Sequence, residues 1–363
     1  AGVALESLRA AVRAGTFDAR GIAPPREPTE MTFRQFAENY KQRHVIGRGL
    51  ALAQSIDHRL KALLERFGDT AIAAIKTADV DDYIADLKRP RLVNGISGRR
   101  LAPASINRSV GLLRHMLNWA VGREYIVQTP FRRGTDLLVR PEMEDNRRRR
   151  RIGPDEEANL LQVTSPLLRA MIVAAIDTGM RRGEMLALRF ADIDWSRRLI
   201  TLRGTTTKSG KTRVVPIGTA RLLAVLEWLR LDAAGGRKAD DTAVFSNQVG
   251  EVTKTFKRAW TIAILKAHGI APSWRKGTYK DLSGESLARL RAIDLHWHDL
   301  RHEHASRLVE RGVPLAQVRD LLGHASIVTT ERYDNQRLEA LQAAVARLED
   351  GKTFSAVVEP VGP

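Results

Sequence analysis

Apolar residues recur at helical spacing through residues 30–128, where they define four amphipathic segments. Side chains that return every three or four positions share one face of an α-helix, so each segment predicts a helix with one buried face. We therefore predict an all-helical domain over 30–128, preceded by an N-terminal extension, 1–29, with a short amphipathic helix. The apolar faces consist of Phe33, Phe36 and Tyr40; Leu52, Ile56, Leu60, Leu63, Leu64 and Phe67; Val80, Tyr83, Ile84 and Leu87; and Ile106, Val110, Leu113, Leu117 and Val121.

The pattern is lost after residue 128. Residues 129–151 contain prolines, show little periodicity and end in five consecutive arginines, 147–151, which predicts a basic linker. Such a run is either a solvated charge cluster or a segment that lies along a phosphate backbone. The charge of the whole chain favours the second interpretation.

A second domain with mixed structure is predicted over 152–350, followed by a tail, 351–363. Two β-branched runs on either side of residues 208–210 predict a pair of antiparallel strands. The remainder is mostly helical, so the fold class is α+β with a small antiparallel sheet. Helices are expected at 154–163, 166–178, 219–233, 252–268, 299–312, 314–324 and 337–350, with a polar loop at 272–286.

The composition of the chain indicates which class of molecule it binds. The formal net charge is +17 and the isoelectric point is near 10.6, which indicates a polyanionic partner, nucleic acid first and anionic membrane second. The chain has no cysteine, which excludes disulfides, thiolate zinc sites and cysteine nucleophiles. The longest apolar run, 170–176, is too short to span a bilayer, and no signal-peptide core is present at the N-terminus. We expect a soluble cytoplasmic protein.

Side chains that could take part in catalysis are concentrated in the predicted second domain, 152–350. Arg181 and Glu184 follow Gly179, Lys208 lies at the turn between the two strands, and Tyr333 comes nine residues after His324. The stretch "HWHDLRHEHAS" contributes His296, His298, His302 and His304 with Arg301. Taken singly, each has an ordinary structural explanation: a surface ion pair, a solvated lysine or a half-exposed tyrosine.

Two short motifs suggest other activities. "TTTKSGKT" resembles a phosphate-binding loop, but Thr205 occupies the position of the first glycine and a strand follows instead of a helix, so we reject it. "HDLRH" resembles a zinc-binding helix, in which His298 and His302 would both face the metal. A zinc hydrolase explains neither the basic excess nor the arginines, and it stays a minor alternative.

Four segments in order resemble the tyrosine recombinase (phage integrase) family: "TGMRRGEMLALRFADID", "TKSGKTRVVPI", "HDLRHEHAS" and "LLGHASIVTTERY". The resemblance covers most of 152–335 and implies a catalytic domain, preceded by a helical core-binding (SAM-like) domain. It also implies site-specific cleavage and rejoining of DNA through a 3′-phosphotyrosyl bond, without metal, ATP or other cofactor. The implied catalytic residues are Arg181, Lys208, His298, Arg301, His324 and the nucleophile Tyr333, with Glu184 supporting an arginine.

The resemblance further implies the partners. These are double-stranded DNA and an accessory DNA-bending or directionality factor. The chain is expected to act as a homotetramer on two synapsed DNA sites. The implied biological role is recombination of a mobile element in a bacterium or phage. A catalytically inactive DNA-binding relative is the alternative. The segment 273–292 is longer than expected before the "HDLRH" motif, which predicts an insertion or a loop. The predicted helix after Tyr333 is expected to dock either on a neighbouring subunit or on its own domain. Predicted DNA contacts are Arg99, Arg100, Arg108, Arg114, Arg147, Arg148, Arg149, Arg150 and Arg151.

Overall fold

The structure is a computed structural model, and it divides by packing into two compact units between Asn146 and Arg147. The predicted N-terminal extension, apart from three isolated positions, and the predicted helix and tail after residue 334 lie outside the described residues. The structure describes residues 6, 10, 14, 31–49, 53–90, 100–144, 148, 150–206, 210–247, 255–276, 281–331 and 333.

The first unit is helical, as the periodicity predicted. Its first helix begins at Thr32, whose hydroxyl accepts the Gln35 amide hydrogen while the Gln35 side chain accepts the Thr32 amide hydrogen. This reciprocal pairing satisfies two backbone donors at the helix start. The described helices are α1 (Phe33–Tyr40), continued by a π-helical turn (Lys41–Ile46), α2 (Ala53–Phe67), α3 (Thr77–Lys88) and α4 (Pro103–Val121).

Apolar packing holds the first unit together. Phe33, Phe36 and Phe67 are each at most 1% exposed, and Phe33 lies 6.3 Å and 6.1 Å from the other two ring centroids. Tilted aromatic pairs at this separation contribute about 0.5–1.5 kcal/mol beyond the burial of their area. From α4, Leu113 and Leu117 complete the same core and are fully buried.

The segment predicted as a linker, 129–151, is in large part folded. Phe131 and Val139 are buried in the core of the first unit, and a short antiparallel pair, β1 (Arg132–Arg133) and β2 (Asp136–Leu137), lies between them. Arg114 of α4 donates to the Val139 carbonyl over 2.7 Å, and its guanidinium lies 5.0 Å from the Phe131 ring centre. The first unit therefore extends beyond residue 128, because two isolated apolar residues supply contacts that show no period.

The second unit combines helices with one three-stranded antiparallel sheet in the order β3-β4-β5, and β4 pairs with β5 from Leu199↔Pro216 to Leu202↔Arg213. The predicted strand pair and most predicted helices are present, with ends that differ by a few residues. The elements are α5 (Pro154–Val163), α6 (Pro166–Thr178), α7 (Arg182–Ala187), β3 (Ile193–Asp194), β4 (Leu199–Leu202), β5 (Arg213–Pro216), α8 (Ala220–Arg230), α9 (Lys257–Ala267), α10 (Gly284–Ile293), α11 (Trp297–Glu310), α12 (Leu315–Leu322) and α13 (Val328–Glu331).

Helix α10 begins inside the predicted polar loop at 272–286, so that prediction is wrong for residues 284–286. The interpretation of 273–292 as an insertion stays a prediction. Ser283 caps the helix by accepting the Ser286 amide hydrogen over 3.2 Å. Only Leu290 and Ile293 of this helix pack against the main core. Two such contacts on a ten-residue helix give too weak an apolar period to be recognised in the sequence.

Helix α6 is the centre of the second unit. Nine of its thirteen residues are buried, and α8 and α11 pack against it. It ends at Gly179, which adopts a left-handed conformation with φ 61°. Within the described part of the chain, no helix has both the length and the apolarity needed to cross a bilayer.

Candidate functional site

The ends of two helices hold the side chain of Arg301. Arg301 projects from α11 and donates through Nη1 to the Gly179 carbonyl over 2.6 Å and through Nη2 to the Leu322 carbonyl over 2.7 Å. These carbonyls lie at the C-terminal ends of α6 and α12, where unpaired carbonyl groups concentrate partial negative charge. A buried guanidinium, 2% exposed, is thereby fixed in one orientation.

Gly179 allows this arrangement. A Cβ atom at this position would lie 2.7 Å from His304 Cδ2 and 2.9 Å from Leu322 Cδ2, and the positive φ is itself unfavourable for a side chain. His304 occupies its place because its Nδ1 lies 2.8 Å from the Ile176 carbonyl and must donate to it. Gly179 is therefore required because α11 and α12 approach the end of α6 too closely for a side chain at this position.

A second group of contacts centres on Glu184, which is 2% exposed. Its carboxylate accepts the Arg181 amide hydrogen over 2.8 Å and the Arg181 Nη1 over 2.9 Å. Arg213 donates to both carboxylate oxygens, over 2.9 Å and 2.7 Å. Burial raises the pKa of Glu184, but the hydrogen bonds from Arg213 and Arg181 outweigh it and hold that pKa at about 2. Glu184 is thus a fixed anion that orients two arginines.

Arg213 was not among the predicted site residues. Its Nε donates to the Leu321 carbonyl over 3.1 Å, and its Cδ lies 2.8 Å from where a Cβ on Gly323 would be. Arg213 begins β5, and its side chain shares a face with the buried Val215. A basic residue on the core-facing side of a strand was the signal that could have revealed it.

The three arginines Arg181, Arg213 and Arg301 make the site electropositive. Burial lowers the pKa of Arg301 to about 9, helped by repulsion from Arg181 and Arg213 and opposed by Glu184 and Tyr333. One carboxylate does not balance three guanidinium groups, so an anion in this place would be stabilised by the excess. A guanidinium presents a planar fork of donors that matches two oxygens of a phosphate.

Histidine rings connect α11 to Tyr333. His298 is exposed at the start of α11, and its ring centre lies 4.9 Å from that of His302, one turn later. The Tyr333 ring lies 5.3 Å from the His302 ring and 6.2 Å from the His324 ring, nearly parallel to the latter. His324 Nδ1 is 3.0 Å from the Thr330 hydroxyl. The structure therefore brings His298, Arg301, His324 and Tyr333 into one neighbourhood.

Tyr333 is buried, at 5% exposure, and so is not the half-exposed tyrosine that its sequence alone would ordinarily indicate. Its ring packs with Ala305 of α11 and with Val318 and Leu322 of α12. Polar neighbours in the sequence did not reveal this, because the apolar contacts come from two other helices.

The possibility of a zinc site rested on His298 and His302. In the described ranges, no group of three or more His, Cys, Asp or Glu side chains is arranged to hold a metal ion. A third protein ligand, which zinc sites require, is therefore not supplied there.

Comparison with known proteins identifies the family. The model of the phage integrase family matches residues 150–339, slightly more than half of the chain. The chain belongs to the phage integrase family. Tyrosine recombinase XerC of Xanthomonas campestris pv. campestris is 29% identical over 240 residues, which is 65% of each chain. Tyrosine recombinase XerD of Corynebacterium glutamicum is 26% identical over 329 residues, 86% of this chain and 97% of the relative. This chain thus spans about two thirds of the Xanthomonas relative.

Solved integrases share the fold of this phage integrase family member. The Tn1549 transposon integrase in complex with a circular intermediate DNA aligns with a TM-score of 0.58 at 21% identity, covering 88% of this chain and 99% of that one. A lambda integrase tetramer bound to a Holliday junction aligns with a TM-score of 0.57 at 17% identity, covering 84% and 78%. At these identities the likeness establishes the fold.

The remaining predicted site residues have varied surroundings. Lys208 lies outside the described residues, as do Arg99, Arg147 and Arg149. Arg100 and Arg108 are exposed, whereas Arg114 is engaged with Val139 and Phe131. Arg148, Arg150 and Arg151 all pair with carboxylates of their own unit. DNA contact by any of these arginines stays a prediction.

Proposed function

We propose that this protein is a site-specific recombinase that cleaves and rejoins double-stranded DNA through a 3′-phosphotyrosyl intermediate. The observation that supports this best is the position of Tyr333, whose ring contacts two histidine rings and lies within electrostatic reach of Arg301. A nucleophile, proton-transfer groups and an anion-binding cluster are thereby available to one phosphate. Membership of the phage integrase family and relatives named tyrosine recombinases agree with this chemistry.

The scissile phosphate would bind between Arg181 and Arg301. The two carbonyl bonds of Arg301 use two of the five N–H donors of its guanidinium, which leaves donors for phosphate oxygens. Arg181 is held by Glu184, so its position is set before the DNA arrives. Donors fixed in advance stabilise the extra charge of the pentacovalent transition state without reorganisation, typically by about 2.7–4 kcal/mol each.

Tyr333 would attack phosphorus. At a pKa of about 10, only roughly a thousandth of a free tyrosine is ionised at neutral pH, so the phenol needs a base or a favourable field. His298 is proposed to take the phenolic proton, and the guanidinium of Arg301 favours the phenolate. Because Tyr333 is buried, the segment that carries it must move for the hydroxyl to reach DNA.

Cleavage forms a bond between phosphorus and the Tyr333 oxygen and breaks the bond from phosphorus to the 5′-oxygen. Lys208, between β4 and β5, is proposed to protonate that oxygen, while His324 donates a hydrogen bond to the phosphate. The 5′-hydroxyl of another strand then attacks phosphorus and releases Tyr333. The covalent intermediate conserves the phosphodiester, so the reaction needs neither ATP nor metal.

Double-stranded DNA is the proposed partner, bound by the basic surface of the first unit and by the arginine site of the second. We propose a homotetramer on two synapsed sites, supported by the resemblance to the lambda integrase tetramer on a Holliday junction. The biological role would be integration or excision of a mobile element, with an accessory DNA-bending or directionality factor, at the nucleoid of a bacterial or phage-infected cell.

The decisive experiment traps the covalent intermediate. Purified protein is incubated with a pool of nicked duplexes that have a randomised centre, and DNA that stays attached in denaturant is recovered and sequenced. We expect an adduct with the wild-type chain, in the presence of EDTA, and none with Tyr333→Phe, which should still bind duplex. An adduct formed by Tyr333→Phe would overturn the assignment of the nucleophile. Binding without any wild-type adduct would favour the inactive relative, and loss of activity in EDTA would favour the zinc hydrolase.

A further inference from the structure

Helix α11 carries two sets of charged groups on different faces. At about 100° per residue, His298, Arg301 and His302 lie within an arc of roughly 100°, and Asp299, Glu303 and Glu310 lie on another face about 130° away. Two of these carboxylates are buried, Asp299 at 0% and Glu303 at 2% exposure. Buried carboxylates require cationic partners. The cations that pair with Asp299 and Glu303 therefore restrict the position of α11.

Arg148 pairs with Asp299. Its Nε and Nη2 donate to the two carboxylate oxygens, each over 2.7 Å, and Nη2 also donates to the Asp294 carbonyl over 2.7 Å. Asp299 accepts in addition the amide hydrogen of His296, which precedes the helix, over 2.8 Å. One guanidinium therefore fastens the first turn of α11 and the loop before it, directly beside His298.

Arg151 makes the equivalent contact one turn further along. Nε and Nη2 donate to the two oxygens of Glu303 over 2.8 Å and 3.0 Å, and Nη1 and Nη2 donate to Glu310 over 2.7 Å and 3.1 Å. The amide hydrogen of Ile152 also bonds to Glu303 over 3.1 Å. Arg148, Arg151 and Ile152 thus all contact the carboxylate face of α11 and not the face that carries His298 and Arg301.

We propose that Arg148 and Arg151 are positioning residues, which set the placement of His298 and Arg301 by holding the buried carboxylates of α11. The inference rests on the proposed function for the reaction that this placement serves. This role replaces DNA contact for these two arginines. A phosphate could recruit Arg148 only by removing the paired guanidinium from the buried Asp299. It could recruit Arg151 only by leaving the buried Glu303 with Arg307, whose Nε donates to it over 2.8 Å. Their side chains are 27% and 34% exposed, partly covered by the pairs that they form.

The test uses the full chain with Arg148→Gln, Arg148→Lys and, as a matched control, Arg140→Gln, which removes one charge from an exposed arginine of the first unit. Hydrogen exchange is measured without DNA, and adduct formation is followed in single turnover on the nicked duplex selected above. For Arg148→Gln we expect amide exchange in 297–303 to be accelerated about tenfold or more, with α6 unchanged as an internal reference. The rate constant at saturating DNA should fall roughly tenfold to a hundredfold, since small misplacements of reacting groups cost that much.

Several readings separate positioning from other roles. General destabilisation would lower the reacting fraction and leave the rate constant of the folded molecules unchanged, which would contradict the proposal. Arg148→Lys, which keeps the charge but cannot bind both oxygens in the plane of a fork, should fall between wild type and Arg148→Gln. The slope of log binding constant against log salt should be unchanged for Arg148→Gln. A slope reduced by about 0.9, with wild-type exchange and rate, would assign Arg148 to a phosphate contact and overturn the inference.

The proposed function can fail separately. If the wild-type chain forms no adduct with any duplex, hydrogen exchange still decides the question. Accelerated exchange at the start of α11 in Arg148→Gln would support positioning in a protein with another activity, and unchanged exchange would overturn it.

Discussion

The two units of this protein place their charges differently. In the described residues of the first unit, no Asp, Glu, Lys or Arg is buried, and its core is built from aromatic and aliphatic side chains. The second unit has an apolar core as well, yet it buries the charged residues Glu157, Glu184, Asp192, Asp299, Arg301 and Glu303. Burying a charge is unfavourable unless it is paired, so this unit accepts a cost that the first avoids.

The difference follows from what each unit is proposed to do. A surface that follows a DNA backbone needs exposed, mobile cations, because its contacts are with solvated phosphates. A site that stabilises a transition state needs charges with fixed positions in a medium of low polarity. The stability of the first unit therefore depends mainly on how well its apolar side chains fill the core. The stability of the second unit depends in addition on the pairing of its buried charges.

Arg301→Lys tests this comparison with the largest expected effect. Lysine keeps the charge but cannot donate to both the Gly179 and Leu322 carbonyls in the plane of a fork. We expect the rate constant of adduct formation to fall by about 10²–10³-fold, as for loss of one transition-state donor. Single-turnover cleavage measures it. The control is Arg182→Lys, the same change at the exposed neighbour of Arg181, which should have little effect on this rate constant. An equal fall of the rate constant in both variants would argue that the fixed position of the Arg301 charge is unimportant.

Glu184→Gln compared with Leu113→Ala separates charge from volume. Glu184 has a folded pKa of about 2 against an ordinary 4.5, so it stabilises the ionised fold by roughly 3 kcal/mol at neutral pH. Leu113 is fully buried in the first unit, and its truncation should cost about 2–5 kcal/mol. Both losses are measured by denaturant unfolding.

The pH dependence distinguishes the two variants. Because the pKa of Glu184 is depressed in the folded state, its contribution is complete above the ordinary value and is lost as the pH falls through about 2. At pH 3 the difference between wild type and Glu184→Gln should shrink to roughly half of its value at pH 7. The difference for Leu113→Ala should be the same at both pH values. A pH-independent loss in Glu184→Gln would mean that packing, not charge, is the role of that side chain.

Arg108→Gln is the smallest expected change and sharpens the description of the first unit. Arg108 is an exposed residue of α4 and a candidate phosphate contact. Its loss should reduce the slope of log binding constant against log salt by about 0.9 and leave stability within about 0.5 kcal/mol of wild type. Filter binding across a salt series measures the slope. Arg114→Gln, on the same helix but bonded to Val139, should instead lower stability and leave the slope unchanged.

Local pattern was sufficient to predict many of the elements. Helices α5 and α6 begin and end where their apolar period predicted, and β4 and β5 pair across the predicted turn. The order of the family motifs also indicated Arg301 and Tyr333. Helix α10 and the folded part of the predicted linker were not predicted, because each is held by a few isolated contacts with no period of their own.

Only the tertiary structure decided which groups the charged residues meet. Arg148 and Asp299 are 151 positions apart, and Arg213 reaches Leu321 across 108, so no local spacing connects them. The same holds for Tyr333, whose polar sequence neighbours suggested exposure while α11 and α12 cover its ring. A helical period reflects neighbours on one segment of chain, whereas the pairing of a buried charge depends on which distant segments the fold brings within hydrogen-bond distance.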